Sequence, residues 1–152
     1  MKLVKISGQL LGLYADDTQI LHKSERPYVL VVRLKYKEHH YDFAVPLRSN
    51  ISASTPKSQY FSLPPRPQTK QYHHHGLHYI KMFPVTKRYF MYYRTSGNQF
   101  AQLIESIISK NEKRIVTECQ AYLDRYEHGI HPKFSTDIDY LLKQLNSIQA
   151  NK

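Results

Sequence analysis

Residues 28–36, YVLVVRLKY, constrain the fold more than any other stretch of the chain. They are rich in β-branched and aromatic side chains, which favour a β-strand. Residues 41–47, YDFAVPL, place apolar side chains at alternate positions and predict the returning strand of an antiparallel hairpin. Pro46 has no N–H to donate to a β-ladder, so we expect the second strand to stop there.

A long polar segment, 48–75, follows the hairpin and contains several prolines, so we interpret it as a loop. Arg48, Ser49 and Asn50 would then lie in this loop, just beyond the end of a strand. Residues 76–85, GLHYIKMFPV, return to the composition of a strand.

The period of the apolar residues changes from Asn98 onward, where they recur at spacings of three and four. This predicts an amphipathic helix, or two helices broken near residues 110–111, that ends at Gly129. Ser135 or Thr136 is suited to cap a last helix.

The N-terminal residues complete the prediction of the fold. Residues 2–6 indicate a short strand, and Ser7 can cap a short helix. Strands come mainly first and helices last, which indicates an α+β fold around an antiparallel sheet. The length of 152 residues favours a single domain, 1–152.

The chain is strongly basic, with 22 Lys and Arg against 12 Asp and Glu and a formal net charge of +10. It also contains 13 tyrosines and nine histidines. This combination suits a polyanion whose bases can stack on aromatic rings, and RNA is the natural candidate. Charge alone fits a basic protein with solvated lysines equally well.

Several classes of protein are disfavoured by the sequence. Cys119 is the single cysteine, which excludes an internal disulfide and fits the reducing cytoplasm. No apolar run approaches the roughly 20 residues of a membrane span, and we expect no signal peptide. The P-loop, the nucleophile elbow and paired zinc cysteines are absent. Histidines 73–75 and 78 seldom suit one ion because adjacent histidines rarely converge, so we expect no metal.

Arg48, Ser49 and Asn50 are compatible with metal-free cleavage of RNA. In that reaction the ribose 2′-OH attacks the neighbouring phosphate, which requires a base, an acid and a group that stabilises negative charge. The guanidinium of Arg48 matches phosphate oxygens, and Ser49 can donate a hydrogen bond to one of them. An ordinary hydrogen-bonded turn explains the same residues when they are considered alone.

The segment RPYVLVVRLKYKEHHYDFAVPLRSNI resembles the hairpin of the type III toxin–antitoxin endoribonucleases, the ToxN/AbiQ/TenpN family. Residues 46–49, Pro-Leu-Arg-Ser, are similar to the Pro-Leu-x-Ser motif of that family, in a form that resembles the TenpN branch. Residues 76–85 resemble its Gly-Leu strand, which contains a lysine and ends in an apolar-Pro-apolar sequence. Asn-Glu at 111–112 and Thr-Asp-Ile at 136–138 also fit the C-terminal pattern.

The resemblance implies a fold similar to the Kid/MazF toxins, with a curved antiparallel sheet, a barrel-like core and C-terminal helices. It implies a bacterial ribonuclease that needs no metal or other cofactor and leaves a 2′,3′-cyclic phosphate. Its expected partners are cellular RNA and a folded repeat RNA antitoxin, such as a pseudoknot, which the toxin processes. That antitoxin would inhibit the toxin in a closed toxin–RNA hetero-oligomer, with a role in abortive infection by phage.

The resemblance also assigns roles to individual residues. Ser49 matches the serine of the motif and is the first candidate for the active site, and Arg48 is placed to hold the scissile phosphate. The ToxN branch has a lysine two positions after the serine, where this chain has Ile51. Proton transfer would therefore come from Lys57, Lys81, a histidine of the loop or a tyrosine.

Basic and aromatic residues elsewhere are candidates for RNA contacts. Two of them precede the first hairpin strand, where family members place groups that contact RNA. The full set is Arg26, Tyr28, Arg33, Asn50, His75, His78, Lys87 and Arg88. The alternatives are a non-catalytic basic RNA-binding module, which would use the same surface, and a protein-interaction domain.

Overall fold

The computed structural model describes residues 3–20 and 29–150. Seven strands and four helices lie within these ranges. The strands are β1 (Leu3–Ile6), β2 (Val29–Tyr36), β3 (His39–Ile51), β4 (Tyr60–Leu63), β5 (His74–His78), β6 (Phe83–Val85) and β7 (Phe90–Tyr92). The helices are α1 (Gly8–Leu13), α2 (Gln99–Lys110), α3 (Glu112–Glu127) and α4 (Ile138–Ala150), and short 3₁₀ turns occupy Lys57–Gln59, Tyr79–Lys81 and Lys87–Tyr89.

The predicted hairpin is confirmed, because β2 pairs with β3 antiparallel from Val29↔Pro46 to Tyr36↔His39. The prediction that the strand stops at Pro46 is wrong, since β3 continues to Ile51. On its other side, β3 pairs with β6 over residues 42–44 and with β5 from Leu47 onward. Pro46 lies opposite Val29 of β2, between the residues of β3 that pair with β6 and those that pair with β5.

The interpretation of residues 48–75 as one loop is therefore wrong. This segment contains the end of β3, the turn Lys57–Gln59, strand β4 and the start of β5. Residues 76–85 are not one strand either, because the 3₁₀ turn Tyr79–Lys81 separates β5 from β6. Each of these strands has five residues or fewer and is irregular in polarity, which gives a weak periodic signal.

The seven strands form one antiparallel sheet in the order β4-β5-β3-β2-β1-β7, with β6 also paired to β3. This confirms the α+β class. The sheet is open in the described part of the chain, since β4 and β7 lie at its two edges and do not pair with each other. The barrel core implied by the resemblance to Kid/MazF toxins is not confirmed.

Helices cover both faces of the sheet. Leu30, Val32, Leu34 and Tyr36 share one buried face of β2, as their alternation predicts, and pack in the core cluster that includes α2 and α3. The other face packs against α1 and α4 through a second cluster. None of the helices within residues 3–20 and 29–150 has the length and apolar composition of a membrane span.

The ends of the helices follow local capping rules. Ser7 accepts from the amide of Leu10, which confirms the predicted cap of α1. The predicted break falls at Asn111, and Gly129 follows α3 with a φ of 97°. The expected caps Ser135 and Thr136 are wrong, because the Asp137 carboxylate accepts from the amide of Tyr140 at 3.1 Å at the start of α4. Thr136 is instead buried, and its hydroxyl donates to the Met82 carbonyl.

Candidate functional site

Three basic side chains from separate positions in the sequence converge where β3 meets β5. Leu47 pairs with Leu77 and Arg48 with Gly76, so alternation places Arg48 and His78 on the same face of the sheet. Arg48 Nη1 lies 3.5 Å from His78 Nδ1. The 3₁₀ turn that follows β5 brings Lys81 close enough for its charge to act on both groups. We call Arg48, His78 and Lys81 the cationic site.

His78 is neutral near pH 7. Burial, followed by the charges of Arg48 and Lys81, lowers the pKa of His78 to about 3. The guanidinium of Arg48 can only donate, so Nδ1 of His78 accepts and the ring proton resides on Nε2. This Nε2 is buried and has no hydrogen-bond partner within the described residues.

Lys81 is buried at 5% exposure and held by two hydrogen bonds. Its Nζ donates to Gln19 Oε1 and to the Phe134 carbonyl, both at 2.8 Å. Burial and then the charge of Arg48 lower the pKa of Lys81 to about 8, against an opposing effect of Asp17. A lysine with this pKa can exchange a proton close to neutral pH.

Ser49 and Asn50 lie in an irregular part of β3 where the pairing register with β5 shifts between Arg48 and Ile51. Ser49 is mostly covered, at 7% exposure. Asn50 Nδ2 donates to the Gln68 carbonyl at 3.2 Å, and Asn50 Oδ1 accepts from the Lys70 amide at 2.7 Å. Asn50 therefore fixes the loop 66–70 against the end of β3.

His75 and His78, both predicted to contact RNA, lie apart in the structure. His75 lies on the opposite face of β5 from His78, because the two are three residues apart in a strand. His75 Nδ1 bonds to the Pro64 carbonyl at 2.7 Å, and its ring stacks on Phe100. Histidines 73–75 and 78 thus do not face one common point.

The remaining predicted residues that the structure describes, Lys57, Arg33, Lys87 and Arg88, are exposed and lie on other parts of the surface. Lys57 begins a turn whose Ser58 carbonyl accepts from Arg125 of α3. Arg33 pairs with Asp42 at 3.4 Å on the β2–β3 hairpin. Lys87 and Arg88 lie in the turn between β6 and β7. Arg26 and Tyr28 fall outside the described residues.

The groups that surround Lys81 were not predicted from the sequence. Asp17, Gln19 and Phe134 lie far from Lys81 along the chain, and Gln19 is separated from it by 62 residues. Asp17 Oδ2 accepts from the Asp137 amide at 2.9 Å, which joins the segment after α1 to the start of α4. Only the tertiary fold places these groups around the lysine.

The cationic site is chemically suited to a phosphodiester. Arg48 offers a permanent charge and a planar set of donors, which match phosphate oxygens. His78 contributes a neutral imidazole, and Lys81 contributes an ammonium that loses its proton near pH 8. A bound anion would offset the repulsion between the charges of Arg48 and Lys81.

No protein-family model and no curated protein matches the chain by sequence. Several solved structures share its fold. One comes from work on a bacterial type III toxin–antitoxin system in which a non-coding RNA pseudoknot selectively inhibits the toxin. It matches with a TM-score of 0.71 and 17% identity over 97% of both chains.

A second similar structure belongs to a bacterial antiviral system regulated by a processed non-coding RNA, with a TM-score of 0.68 and 12% identity over 94% of this chain and 96% of that one. A third is AbiQ, a lactococcal anti-phage endoribonuclease of the type III toxin–antitoxin system. Its TM-score is 0.67 at 14% identity, over 99% of this chain and 98% of AbiQ. The resemblance predicted from the sequence is thus confirmed at the level of the fold, which this chain shares with proteins of bacterial type III toxin–antitoxin systems.

Proposed function

We propose that this protein is the toxin of a bacterial type III toxin–antitoxin system and acts as a metal-independent endoribonuclease. The observation that carries the proposal is the cationic site, which lies at the end of β3 in a fold shared with AbiQ, an endoribonuclease. The net charge of +10 supports an RNA substrate.

Each group of the cationic site has a role in the proposed reaction. Arg48 binds the scissile phosphate and stabilises its added negative charge. The ribose 2′-oxygen forms a bond to phosphorus while its proton passes to Nδ1 of His78, which Arg48 releases as it turns to the phosphate. The bond from phosphorus to the 5′-oxygen breaks as the Lys81 ammonium gives that oxygen a proton. The products are a 2′,3′-cyclic phosphate and a 5′-hydroxyl.

Ser49 is proposed to donate a hydrogen bond to a phosphate oxygen beside Arg48. Expression of the protein in growing bacteria should stop growth, and Ser49→Ala should relieve this while leaving the fold intact. Ser109→Ala, at an exposed serine of α2, is the matched control and should remain toxic. Equal toxicity of Ser49→Ala and the wild type would remove Ser49 from the site.

Purified protein provides the chemical test. It should cut RNA in the presence of EDTA and leave cyclic-phosphate ends, and Arg48→Gln should lower the rate by roughly 10²–10³-fold. Loss of cleavage on adding EDTA would contradict the metal-free mechanism.

The proposed partners follow from the same fold. One similar protein is a toxin inhibited by an RNA pseudoknot, so we propose that a folded repeat RNA inhibits this chain in a closed toxin–RNA hetero-oligomer in the cytoplasm. AbiQ is an anti-phage protein, so we also propose a role in phage defence. The antitoxin should be encoded as short tandem repeats upstream of the toxin gene, and the cognate transcript should restore growth.

The burial of Ser49 favours a second candidate, a non-catalytic RNA-binding module, because the nuclease needs this hydroxyl to become exposed when RNA binds and the module does not. Such a module would bind RNA with strong dependence on salt. It would yield no cyclic-phosphate ends, and this absence would distinguish it from the nuclease.

A further inference from the structure

A pocket of about 270 Å³ opens between the loop 66–70 and the start of α2. Leu3 and Leu47 give it apolar walls, and both are more than nine-tenths buried. Arg66 and Asn98 add polar groups, and His75 and Phe100 add two rings. We call this cavity the α2 pocket.

The two rings of the α2 pocket pack against each other and form its aromatic side. His75 and Phe100 stack with their centroids 6.0 Å apart and their planes at 29°. Burial lowers the pKa of His75 despite its hydrogen bond to Pro64, and the charge of Arg66 adds to this effect, so the ring is uncharged near neutral pH. An uncharged ring pair beside aliphatic side chains suits a planar, weakly polar group.

The α2 pocket and the cationic site are joined through consecutive residues of β3. Leu47 lines the pocket, and the next residue, Arg48, belongs to the cationic site on the opposite face. Asn50 holds the loop 66–70, from which Arg66 enters the pocket wall. An RNA strand that occupies both places must therefore pass from one face of the sheet to the other at this end of β3.

We propose that the α2 pocket binds one nucleobase of the RNA strand whose phosphate occupies the cationic site. The inference rests on the proposed function and adds to it a subsite that recognises a base. A base is flat and aromatic and can pack against the His75–Phe100 pair, and Arg66 supplies a cation for an adjoining phosphate. The volume lies just below the roughly 300–1,000 Å³ of common ligand pockets, which fits one base rather than a larger ligand.

An abasic scan tests this assignment. The cut in a short RNA is mapped first, and the nucleotide that supplies the attacking 2′-OH is then replaced by its 2′-deoxy form, which cannot be cleaved. Each base near the cut is removed in turn, and the dissociation constant is measured by fluorescence anisotropy at fixed salt. We expect one position at which removal weakens binding by about 5- to 150-fold, the range for loss of one stacked base.

Two variants connect that position to the α2 pocket. Phe100→Leu keeps an apolar side chain but removes the ring, and Arg66→Gln removes the cation. In Phe100→Leu, binding of the intact RNA should weaken by a similar factor, and removing the critical base should then have little further effect. Leu103→Ala on α2 and Lys70→Gln in the loop 66–70 alter exposed side chains outside the pocket. These controls should keep the full abasic effect.

The results separate this inference from the proposed function. A full abasic effect in Phe100→Leu, or no sensitive position in the wild type, would overturn the base-binding pocket even if the RNA is cleaved. If the wild type does not cut the RNA, every position of the unmodified RNA is scanned instead. A sensitive position that depends on Phe100 would then support the pocket, and the nuclease proposal alone would fail. Failure of the wild type to bind any RNA would overturn both.

Discussion

Gly76 provides the sharpest test of how the cationic site is built. It pairs with Arg48 on one side and with Ser62 of β4 on the other. A Cβ atom at Gly76 would lie 2.1 Å from the Phe61 carbonyl oxygen and 3.0 Å from the carbonyl carbon. Both are backbone atoms, so no side-chain rotation can relieve the clash. Gly76→Ala therefore requires β4 to move away from β5 by about 1 Å.

The cost can be bounded from the packing of β4. Phe61 and Leu63 are buried in the main core, and a shift of this strand disturbs both their contacts and the ladder with β5. Overpacking commonly costs about 1–3 kcal/mol, and the rigid backbone at this site favours the upper limit. For a chain of this length, about 3 kcal/mol corresponds to a fall in Tm of roughly 6–12 °C. Urea unfolding followed by circular dichroism measures the change directly.

Gly12→Ala is the matched control. Gly12 lies in α1, has nothing within 4 Å of a built Cβ and is exposed, so alanine should stabilise the protein by about 0.5–1 kcal/mol. Gly76→Ala should also reduce RNA cleavage, because His78 belongs to the strand that is displaced. If Gly76→Ala unfolds at the same midpoint concentration of urea as the wild type, with an unchanged m-value, the close approach of β4 to β5 at Gly76 is refuted.

Three further perturbations test the charges and the loop. Because Lys81 loses its proton near pH 8, the cleavage rate of the wild type should fall above that pH. Arginine stays charged at this pH, so the fall should be absent from the pH–rate profile of Lys81→Arg. Burial tends to raise the pKa of Asp139, but hydrogen bonds, first that from Lys37, hold it below its ordinary value. The ionised Asp139 carboxylate therefore stabilises the fold at pH values above the ordinary pKa of an aspartate. This stabilisation is lost as the pH falls through the lowered pKa of Asp139 in the folded protein. Asp139→Asn should cost about 1 kcal/mol or less at pH 7 and flatten the acid dependence of urea unfolding. Asn50→Ala should speed amide exchange in the loop 66–70 by roughly 5- to 30-fold.

Long periodic elements of this fold can be predicted from the sequence, and short ones cannot. β2 and the helices α2 to α4 bury a regular set of side chains, so their pattern survives in the sequence. The end of β3 was predicted wrongly because the effect of Pro46 depends on which neighbouring strand its backbone faces. The sequence does not specify that neighbour. β4 and β5 depend on pairing with β3 and with each other, which a local pattern does not record.

The candidate site likewise has a part that the sequence predicts and a part that only the tertiary fold determines. The motif at residues 46–49 led to Arg48, and the lysine of residues 76–85 led to Lys81, yet neither motif indicates that the two charges act on each other. Their proximity arises from the β3–β5 register and the turn after His78. The role of Asn50 in holding a loop was likewise missed, because its partners are backbone groups about 20 residues away.

The cationic site is stabilised by the rest of the fold rather than by its own charges. Burial, and then the charge of Arg48, lowers the pKa of both His78 and Lys81, so the charged forms of these groups are disfavoured in the free protein. The Gln19 side chain and the Phe134 carbonyl offset part of this cost with two neutral acceptors. Because they do not neutralise the charge, the site keeps its positive potential for a phosphate. A carboxylate paired directly with Lys81 would stabilise the ammonium more strongly, but it would also compete with the anion the site is proposed to bind.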